Sequence, residues 1–354
     1  MKKKVLGIIG GGQLGRMTVL AAARLGIECH VYDPNPDSPA FQVCAKSYIN
    51  KFDDQKAIKE FSSNIDGALY EFENIPINTA KLIEKNTKLR PSSYILSVSQ
   101  DRLVEKTFLT QKAEVETAKY FSINNVEDLS KSLDLLNGSG VLKTRRFGYD
   151  GKGQIKIDKT TDINKALKSL KNKELILEEY VPFKRELSII IARDHKGNSQ
   201  IYDCVENKHK NHILDLTLAP APMLSKNISN LAKSIATKIA ENLDLVGLLA
   251  IELFELKNQQ LLVNEIAPRP HNSGHWTMDG CITDQFEQAA RAALGISLGS
   301  VKRIFDIEMK NLIGADIALV ENYSKKSNYK IHLYGKKEIR KDRKMGHVNK
   351  IIKP

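Results

Sequence analysis

Two glutamates in neighbouring apolar segments carry the clearest potential for chemistry. Glu252 and Glu265 lie on either side of the polar turn 257–260. If Asn258 and Gln259 are the central turn residues, an antiparallel hairpin places the two carboxylates directly opposite each other, with Cβ atoms about 4.5–5.5 Å apart. Such a pair repels unless one member is protonated or a cation is bound. The spacing predicts a Mg²⁺ site that also holds substrate phosphates. A shifted register with one glutamate in solvent is the alternative.

Polar residues around the second glutamate favour the site. Asn264 precedes Glu265, and Arg269 and His271 follow shortly after it. His271 and His275 are four residues apart, which on a helix would suit a zinc ion. Two prolines and a glycine in this stretch disfavour a helix, so zinc is the weaker interpretation.

A glycine-rich turn at residues 10–15 has the pattern G-x-G-x-x-G between a predicted strand and a predicted helix. Glycines let the backbone approach an anion, and a helix N-terminus offers free N–H groups. Asp33 ends the next strand, where a dinucleotide-binding fold places its ribose-binding acid. The turn predicts phosphate binding, with a nicotinamide or flavin enzyme as one interpretation and a turn without a ligand as the other.

A strand lysine leads into a second glycine-rich segment. Lys143 precedes residues 144–154, which contain three glycines and three cations. The segment lacks the GKS or GKT ending of a Walker A loop. We expect a mobile loop that closes over phosphates, the alternative being an exposed hairpin with a basic face.

The predicted elements place these groups on an α/β framework, α+β overall. Strands and helices alternate over the first hundred residues, which predicts a parallel sheet covered on both faces. The predicted strands are Val5–Ile9, 27–32, Gly67–Tyr70, 141–143, 175–180, 186–193, 200–206, 249–256 and 260–266. The predicted helices are 13–25, 55–62, Ile77–Asn86, 100–112, 126–136, 228–243 and 285–294. Residues 311–352 are predicted to form short strands.

Length and composition exclude several classes of protein. The 354 residues, 42% hydrophobic and 27% charged, are typical of a globular protein of two or three domains and exclude collagen, a disordered tail and a disulfide scaffold. We expect no membrane span and no signal peptide, because the apolar runs are too short. The cysteines are widely spaced and predict reduced thiols in the cytoplasm: Cys29, Cys44, Cys204 and Cys281.

Most of the positive charge lies near the C-terminus. The chain carries a net charge of +12, and residues 325–353 contain eleven lysines and arginines against two acids. This segment could be a solvated basic tail, a nucleic-acid-binding arm or a lid over an anionic substrate. No nucleic-acid-binding signature accompanies it, so nucleic acid is the least favoured partner.

Several motifs together resemble the ATP-grasp ligases. Within them the chain is most similar to the 5-(carboxyamino)imidazole ribonucleotide synthetase family, the ATP-dependent carboxylases of purine synthesis. The similar stretches are GGGQLGRM at 10–17, YEFENI at 70–75, Asp101-Arg102, GYDGKGQ at 148–154, NEIAPRPHNSGHWT at 264–277 and RKMGH at 343–347. The stretch at 264–277 is the most specific of these, whereas G-x-G-x-x-G is weak by itself.

The resemblance implies an ATP-grasp fold of three domains. These are an N-terminal parallel α/β domain over residues 1–100, an ATP-grasp domain over 101–300 with lobes 101–181 and 182–300, and a small C-terminal β domain over 301–354. It also implies that the first glycine turn holds the 5′-phosphate of a nucleotide substrate, which replaces the dinucleotide interpretation.

The resemblance implies roles for individual residues. ATP would contact Arg102, Lys143, Gly148, Tyr149, Asp150, Gly151, Lys152, Gly153, Gln154, Glu178, Glu179, Tyr180, Val181, Glu186, His209, Asn264 and Glu265. The ribonucleotide and bicarbonate would contact Gly12, Gln13, Leu14, Glu73, Tyr149, Lys152, Arg269, His271, Lys336 and Arg343. Mg²⁺ would be held by Glu252 and Glu265, and the catalytic residues would be Asp150, Arg269, Lys336 and Arg343. Lys152 departs from the family, in which arginine is common at this position, and lysine cannot make the same two-pronged contact.

The activity that the resemblance implies is carboxylation of 5-aminoimidazole ribonucleotide with ATP and bicarbonate, through carboxyphosphate. The expected partners are these small molecules and a second copy of the chain in a homodimer, with neither nucleic acid nor membrane. A formate-dependent glycinamide ribonucleotide transformylase and a nicotinamide-dependent oxidoreductase are the alternative activities. The HNSGHWT run and the Tyr149-Asp150 pair favour the carboxylase.

Overall fold

The structure of the protein is a computed structural model that describes residues 4–148, 151–170 and 174–353. Its strands form a four-stranded parallel sheet, a four-stranded antiparallel sheet and a nine-stranded sheet. No helix in these ranges has the length and apolar character needed to cross a membrane.

The N-terminal part is the predicted parallel sheet, with strand order β3-β2-β1-β4. Three of its strands, β1, β2 and β4, are almost entirely buried because helices cover them, whereas the edge strand β3 has two exposed residues. The elements are β1 (Val5–Ile9), α1 (Gln13–Arg24), β2 (Glu28–Tyr32), β3 (Lys46–Tyr48), α2 (Gln55–Ser63), β4 (Gly67–Tyr70), α3 (Ile77–Asn86) and α4 (Ser93–Ser99). The glycine-rich turn joins β1 to α1, as predicted.

The second part is a small antiparallel lobe with strand order β5-β8-β6-β7 and an apolar core of its own. Its elements are α5 (Arg102–Gln111), β5 (Tyr120–Ile123), α6 (Val126–Leu135), β6 (Ser139–Thr144), β7 (Gln154–Asp158), α7 (Ile163–Ser169) and β8 (Leu175–Glu179). Lys143 lies on β6, and the second glycine-rich segment connects β6 to β7.

The third part is a long sheet with strand order β14-β13-β9-β11-β12-β15-β17-β16, in which β10 also pairs with β9. Its elements are β9 (Arg185–Arg193), β10 (Ser199–Ile201), β11 (Val205–Lys210), β12 (Ile213–Ala219), α8 (Lys226–Asn242), β13 (Gly247–Glu255), β14 (Leu261–Ala267), α9 (Thr277–Gly280), α10 (Gln285–Ala293), β15 (Asp306–Ile313), α11 (Val320–Ser324), β16 (Tyr329–Leu333) and β17 (Lys344–Lys353). The apolar face of α8 packs on this sheet.

The C-terminal strands continue this sheet through the pairing of β12 with β15. One sheet thus contains strands from both sides of residue 300. The domain division predicted at that residue stays a prediction.

Two predicted segments differ from the structure. The strands predicted over 311–352 are present as the end of β15, β16 and most of β17, but a 3-10 turn and α11, which were not predicted, occupy Gly314–Leu319 and Val320–Ser324. The single strand predicted over 200–206 is two strands, β10 and β11. Both pair with β9, but their registers differ by one residue, since Ile201 lies opposite Ile191 and Val205 opposite Ser188.

Candidate active site

The N-terminus of α1 is partly occupied by carboxylates of the chain itself. Asp33 accepts a hydrogen bond from the Gly11 amide at 2.7 Å, and Glu71 accepts from the Gly12 amide and, at 2.6 Å, from the Gly15 amide. The other oxygen of Asp33, Oδ1, accepts from the backbone N–H of Asn35. Asp33 therefore links the glycine turn to the turn that follows β2. The amides of Gln13 and Leu14 lie in the first turn of the helix, where no carbonyl of the helix can accept from them. They remain suited to an anionic group.

The predicted carboxylate pair is confirmed. Glu252 on β13 and Glu265 on β14 are direct cross-strand partners. Burial and the Glu265 charge raise the pKa of Glu252 to about 7. Burial acts in the same direction on Glu265, but the positive charges of Arg102, Lys143 and Arg269 together outweigh it and hold the pKa of Glu265 below its usual value. Arg102 Nη1 lies 3.0 Å from Oε2 of Glu265. The pair is short of positive charge, which a divalent cation would supply.

The register of the hairpin changes along its length, which the sequence prediction missed. Near the turn, Glu255 lies opposite Leu261 and Leu253 opposite Val263, one residue away from the predicted register. An irregularity at Asn264 then restores the predicted pairing of the two glutamates.

Basic side chains from two elements meet beside the pair. Lys143 Nζ lies 3.0 Å from Oε2 of Glu178, and Lys106 Nζ lies 3.6 Å from the same oxygen. Burial alone would raise the pKa of Glu178, but the positive charges of Lys106, Lys143 and Arg102 lower it to about 2. Sequence reasoning missed Lys106, although its four-residue spacing from Arg102 on α5 was a signal.

The ATP contacts predicted at residues 148–154 and 178–181 lie at the ends of β6, β7 and β8 or in the segments beside them. Arg102 Nη2 lies 3.5 Å from the carbonyl oxygen of Gly148. The start of the second glycine-rich segment therefore borders the basic cluster, which consists of Arg102, Lys106 and Lys143. Gln154 pairs with Lys143 across β6 and β7. Tyr149 and Asp150 lie outside the described residues. The remaining predicted residues of these segments lie in the loop before β7 (Gly151, Lys152 and Gly153) or at the end of β8 and just after it (Glu179, Tyr180 and Val181).

Glu186 and His209 also face this region from neighbouring strands. His209 Nδ1 lies 2.6 Å from Oε2 of Glu186. Burial lowers the pKa of His209, but the hydrogen bond to Glu186 and the negative charges of Glu186 and Glu252 together outweigh burial and raise it. The structure therefore brings two of the predicted ATP contacts, Glu186 and His209, together.

The segment after β14 brings the predicted substrate residues to the carboxylate pair. Arg269 Nε lies 2.8 Å from Oε1 of Glu73, and His271 Nε2 lies 3.2 Å from Oε1 of Glu252. The segment is not an α-helix, and His275 packs in the interior against His347 and Phe286. This arrangement disfavours the zinc interpretation. No cluster of three or more His, Cys, Asp or Glu ligands occurs in the described part of the chain.

A buried chain of hydrogen bonds lies behind His271, and sequence reasoning missed it. The Asn207 amide donates to the Ser188 hydroxyl at 2.9 Å, and the Ser188 hydroxyl donates to the Ser273 hydroxyl at 2.7 Å. The Ser273 hydroxyl lies 2.9 Å from Nδ1 of His271. Thr217 donates to Oδ1 of Asn207 at 2.9 Å and fixes the orientation of that amide.

The basic residues Lys336, Arg343 and Lys344 of the C-terminal segment make different contacts. Burial holds the pKa values of His271 and His275 well below their usual value, and the charge of Lys344 on β17 acts in the same direction. Lys336 Nζ donates to the carbonyl oxygen of Lys344 at 2.7 Å. Arg343 donates to the carbonyl oxygen of Glu338 at 3.1 Å, and its contact with a substrate stays a prediction.

Family comparisons cover most of the chain. The ATP-grasp domain model matches residues 108–286, the ribonucleotide synthetase preATP-grasp domain matches 1–100, and the phosphoribosylaminoimidazole carboxylase C-terminal domain matches 308–353. The N5-carboxyaminoimidazole ribonucleotide synthase of Brucella melitensis is 44% identical over 349 residues, which cover 98% of this chain and 96% of that protein.

Solved structures agree with the sequence comparison. The N5-carboxyaminoimidazole ribonucleotide synthetase from Thermus thermophilus has a TM-score of 0.91 and 41% identity, covering 98% of this chain and 93% of that chain. The N5-carboxyaminoimidazole synthase from Aspergillus clavatus, in complex with ADP and 5-aminoimidazole ribonucleotide, has a TM-score of 0.92 and 29% identity, covering 99% and 94%. With the mixed α/β architecture, the facing glutamates and this full-length similarity, the chain belongs to the N5-carboxyaminoimidazole ribonucleotide synthase family of ATP-grasp ligases.

Proposed function

We propose that this protein carboxylates 5-aminoimidazole ribonucleotide to 5-(carboxyamino)imidazole ribonucleotide in purine biosynthesis, using ATP and bicarbonate. The observation that carries the proposal is the meeting of the Glu252–Glu265 pair with Arg102, Arg269 and His271 in a chain that is 44% identical to a named synthase. An oxidoreductase would leave this carboxylate pair and the basic cluster beside it without a task.

The residues present fit a Mg²⁺ ion. Two facing carboxylates, one of which has a raised pKa, are oxygen ligands short of counter-charge, and Mg²⁺ is commonly bound by one or two carboxylates together with substrate phosphates. Glu252 and Glu265 would hold the ion, with Asn264 beside them. When bound, the ion would neutralise charge on the transferring phosphoryl group.

The first step is phosphoryl transfer. A bicarbonate oxygen attacks the γ-phosphorus of ATP, the bond to the bridging oxygen breaks, and carboxyphosphate and ADP form. Catalysis of such a step depends on positioning and charge stabilisation. Arg102 and Lys143 supply positive charge beside the phosphates, and the loop before β7 would exclude water from carboxyphosphate.

The second step forms the carbon–nitrogen bond. The exocyclic amine attacks the carboxyl carbon of carboxyphosphate, or CO₂ released from it; phosphate leaves, and the nitrogen loses a proton. We propose Asp150 for that proton, Arg269, Lys336 and Arg343 for the anionic intermediate, and the amides of Gln13 and Leu14 for the 5′-phosphate. We also propose a cytoplasmic homodimer; the four free cysteines are consistent with a reducing compartment.

The test is phosphate release from Mg·ATP in four mixtures, with neither, either or both of bicarbonate and 5-aminoimidazole ribonucleotide. The proposal predicts strong release only when the ribonucleotide is present, increased by bicarbonate. Turnover with glycinamide ribonucleotide and formate, without a response to 5-aminoimidazole ribonucleotide, would assign the transformylase activity instead.

A further inference from the structure

The hairpin that carries the two glutamates has an irregular register. Leu253 lies opposite Val263, but Glu252, the residue before Leu253 on β13, lies opposite Glu265. Asn264 is therefore an extra residue on β14, which makes a β-bulge at this point.

The bulge determines which way Glu265 points. Side chains alternate between the two faces of a strand, and Leu261 and Val263 both pack in the core between the sheet and α8. Without the extra residue, Glu265 would be the next side chain on that apolar face. Instead, Ile266 occupies the core, and Glu265 shares the face of Glu252.

One buried ammonium group holds the bulge. Lys106, with 1% of its surface exposed, donates from Nζ to the carbonyl oxygen of Asn264 at 2.8 Å and to that of Val263 at 3.3 Å. Successive carbonyls of a regular strand point to opposite sides. Because Lys106 Nζ donates to both the Val263 and the Asn264 carbonyl, the backbone of β14 must depart from regular strand geometry there. Lys106 is one helical turn after Arg102, whose guanidinium pairs with Glu265 itself.

The charge of Lys106 is balanced within the same cluster. Its Nζ lies 3.6 Å from Oε2 of Glu178, and the two side chains are 2% and 4% exposed. Loss of the ammonium would leave the Val263 and Asn264 carbonyls without this donor. The backbone of the bulge would then be expected to change its conformation before the rest of β14.

We propose that Lys106 is a positioning residue that fixes the Asn264 bulge and thereby sets Glu265 opposite Glu252 for metal binding. Lys106 acts through the backbone of β14 and touches neither the ion nor the reacting atoms. The inference rests on the proposed function, in which the two carboxylates hold Mg²⁺.

The experiment measures Mn²⁺ binding to the full-length protein with saturating ADP, by electron paramagnetic resonance. Lys106→Met is expected to weaken Mn²⁺ binding by about tenfold or more, the effect typical of residues that orient metal ligands. The affinity for ADP without metal should fall much less. Lys238→Met is the matched control, because Lys238 also donates to a backbone carbonyl, that of Glu114 at 3.1 Å, but lies outside the site.

Equal Mn²⁺ affinity in Lys106→Met and wild type would overturn the inference, as would parallel losses of Mn²⁺ and ADP affinity, which indicate general disruption. If Lys106→Met does not fold, Lys106→Gln is tested against wild type: its shorter side chain cannot keep both carbonyl bonds, so Mn²⁺ affinity should fall, and no loss would contradict the inference. Wild-type protein that binds no Mn²⁺ with ADP would contradict the proposed metal site itself. If wild-type protein binds Mn²⁺ and Glu265→Gln abolishes that binding, the metal site is supported. A negative result with Lys106→Met then counts against the Lys106 inference alone.

Discussion

His271 Nε2 faces Glu252 Oε1 at 3.2 Å, and the hydrogen bonds behind the imidazole make Nε2 the donor. The Ser188 hydroxyl accepts a hydrogen bond from the Asn207 amide and donates one to the Ser273 hydroxyl, which is left to donate to Nδ1 of His271. The Ser273 backbone N–H points to the same Nδ1 at 3.4 Å. Because burial holds the pKa of His271 well below its usual value, the ring is neutral and its single proton is on Nε2.

Replacement of Ser188 should disturb this proton arrangement. Ser188→Ala removes a buried hydroxyl from the chain, so we expect a loss of about 1–2 kcal/mol in the free energy of unfolding and a mixture of His271 tautomers. The measurement is the ¹⁵N chemical shift of the His271 ring nitrogens together with thermal unfolding. Ser62→Ala is the control: Ser62 is buried and donates to Ile58 O, so only stability should change. Unchanged His271 shifts in Ser188→Ala would contradict the role of Ser188 in fixing the tautomer, because the Ser273 hydroxyl and backbone N–H would then hold it without Ser188.

Glu265→Gln should abolish ATP turnover and leave the fold intact. The amide keeps an oxygen that can accept from Arg102 but removes the charge that the metal requires. The measurements are phosphate release across ordinary Mg²⁺ concentrations and thermal unfolding.

Glu255→Gln is the matched control on the neighbouring strand. Glu255 is buried and pairs with Arg185 at 2.5 Å and Lys184 at 2.9 Å, away from the site. Its replacement should lower stability by about 1–3 kcal/mol and preserve turnover. Near-normal turnover by Glu265→Gln would refute the role of the carboxylate pair.

The apparent affinity for a divalent cation should rise with pH up to about 7. Burial and Glu265 raise the pKa of Glu252 to about 7, and the ion binds the deprotonated form. Below that pH, the affinity should fall by up to about tenfold per pH unit, and above it the affinity should level off.

Without metal, the stability of the fold should change in the opposite direction. The folded pKa of Glu252 lies above its unfolded value, so its contribution is fully present below the unfolded pKa and is lost as pH rises towards about 7. Mn²⁺ titrations and thermal unfolding at several pH values check both trends. Glu252→Gln is the control, and an equal pH dependence in that variant would assign the effect to another group.

Glu71 should affect ribonucleotide binding more than ATP binding. It is buried and accepts from Gly12 and Gly15 at the N-terminus of α1. Glu71→Gln turns an amide donor towards one of these N–H groups, so we expect a loss of about 1–3 kcal/mol in stability and a raised KM for the ribonucleotide. Asp54 caps α2 through Ala57, so Asp54→Asn tests a helix cap away from the site. Equal KM changes for both substrates in Glu71→Gln would contradict the prediction.

The local part of the site could be predicted from the sequence, because it depends on neighbours along the chain. The glycine turn before α1 and the hairpin of Glu252 and Glu265 follow from short-range patterns, and both are confirmed. The hairpin prediction gave the right partners from the wrong turn centre. The bulge that corrects the register is held by Lys106, which is 158 residues before Asn264, and no local pattern contains such a contact.

Long-range assembly explains the other missing features. The pairing of β12 with β15 makes the C-terminal strands part of the central sheet, and Ser188, Asn207 and Ser273 meet only after three distant segments pack together. Each residue alone has an ordinary sequence context. The resemblance to a family could indicate the site as a whole but not these supporting contacts.

The most direct test of the central claim follows labelled bicarbonate into the product. The protein is incubated with Mg·ATP, ¹³C-bicarbonate and 5-aminoimidazole ribonucleotide, and ¹³C NMR and ADP formation are recorded together. We expect a new carbamate carbon on the ribonucleotide, formed in step with ADP by wild-type protein and absent with Glu265→Gln. ADP formation without a labelled ribonucleotide would contradict the central claim.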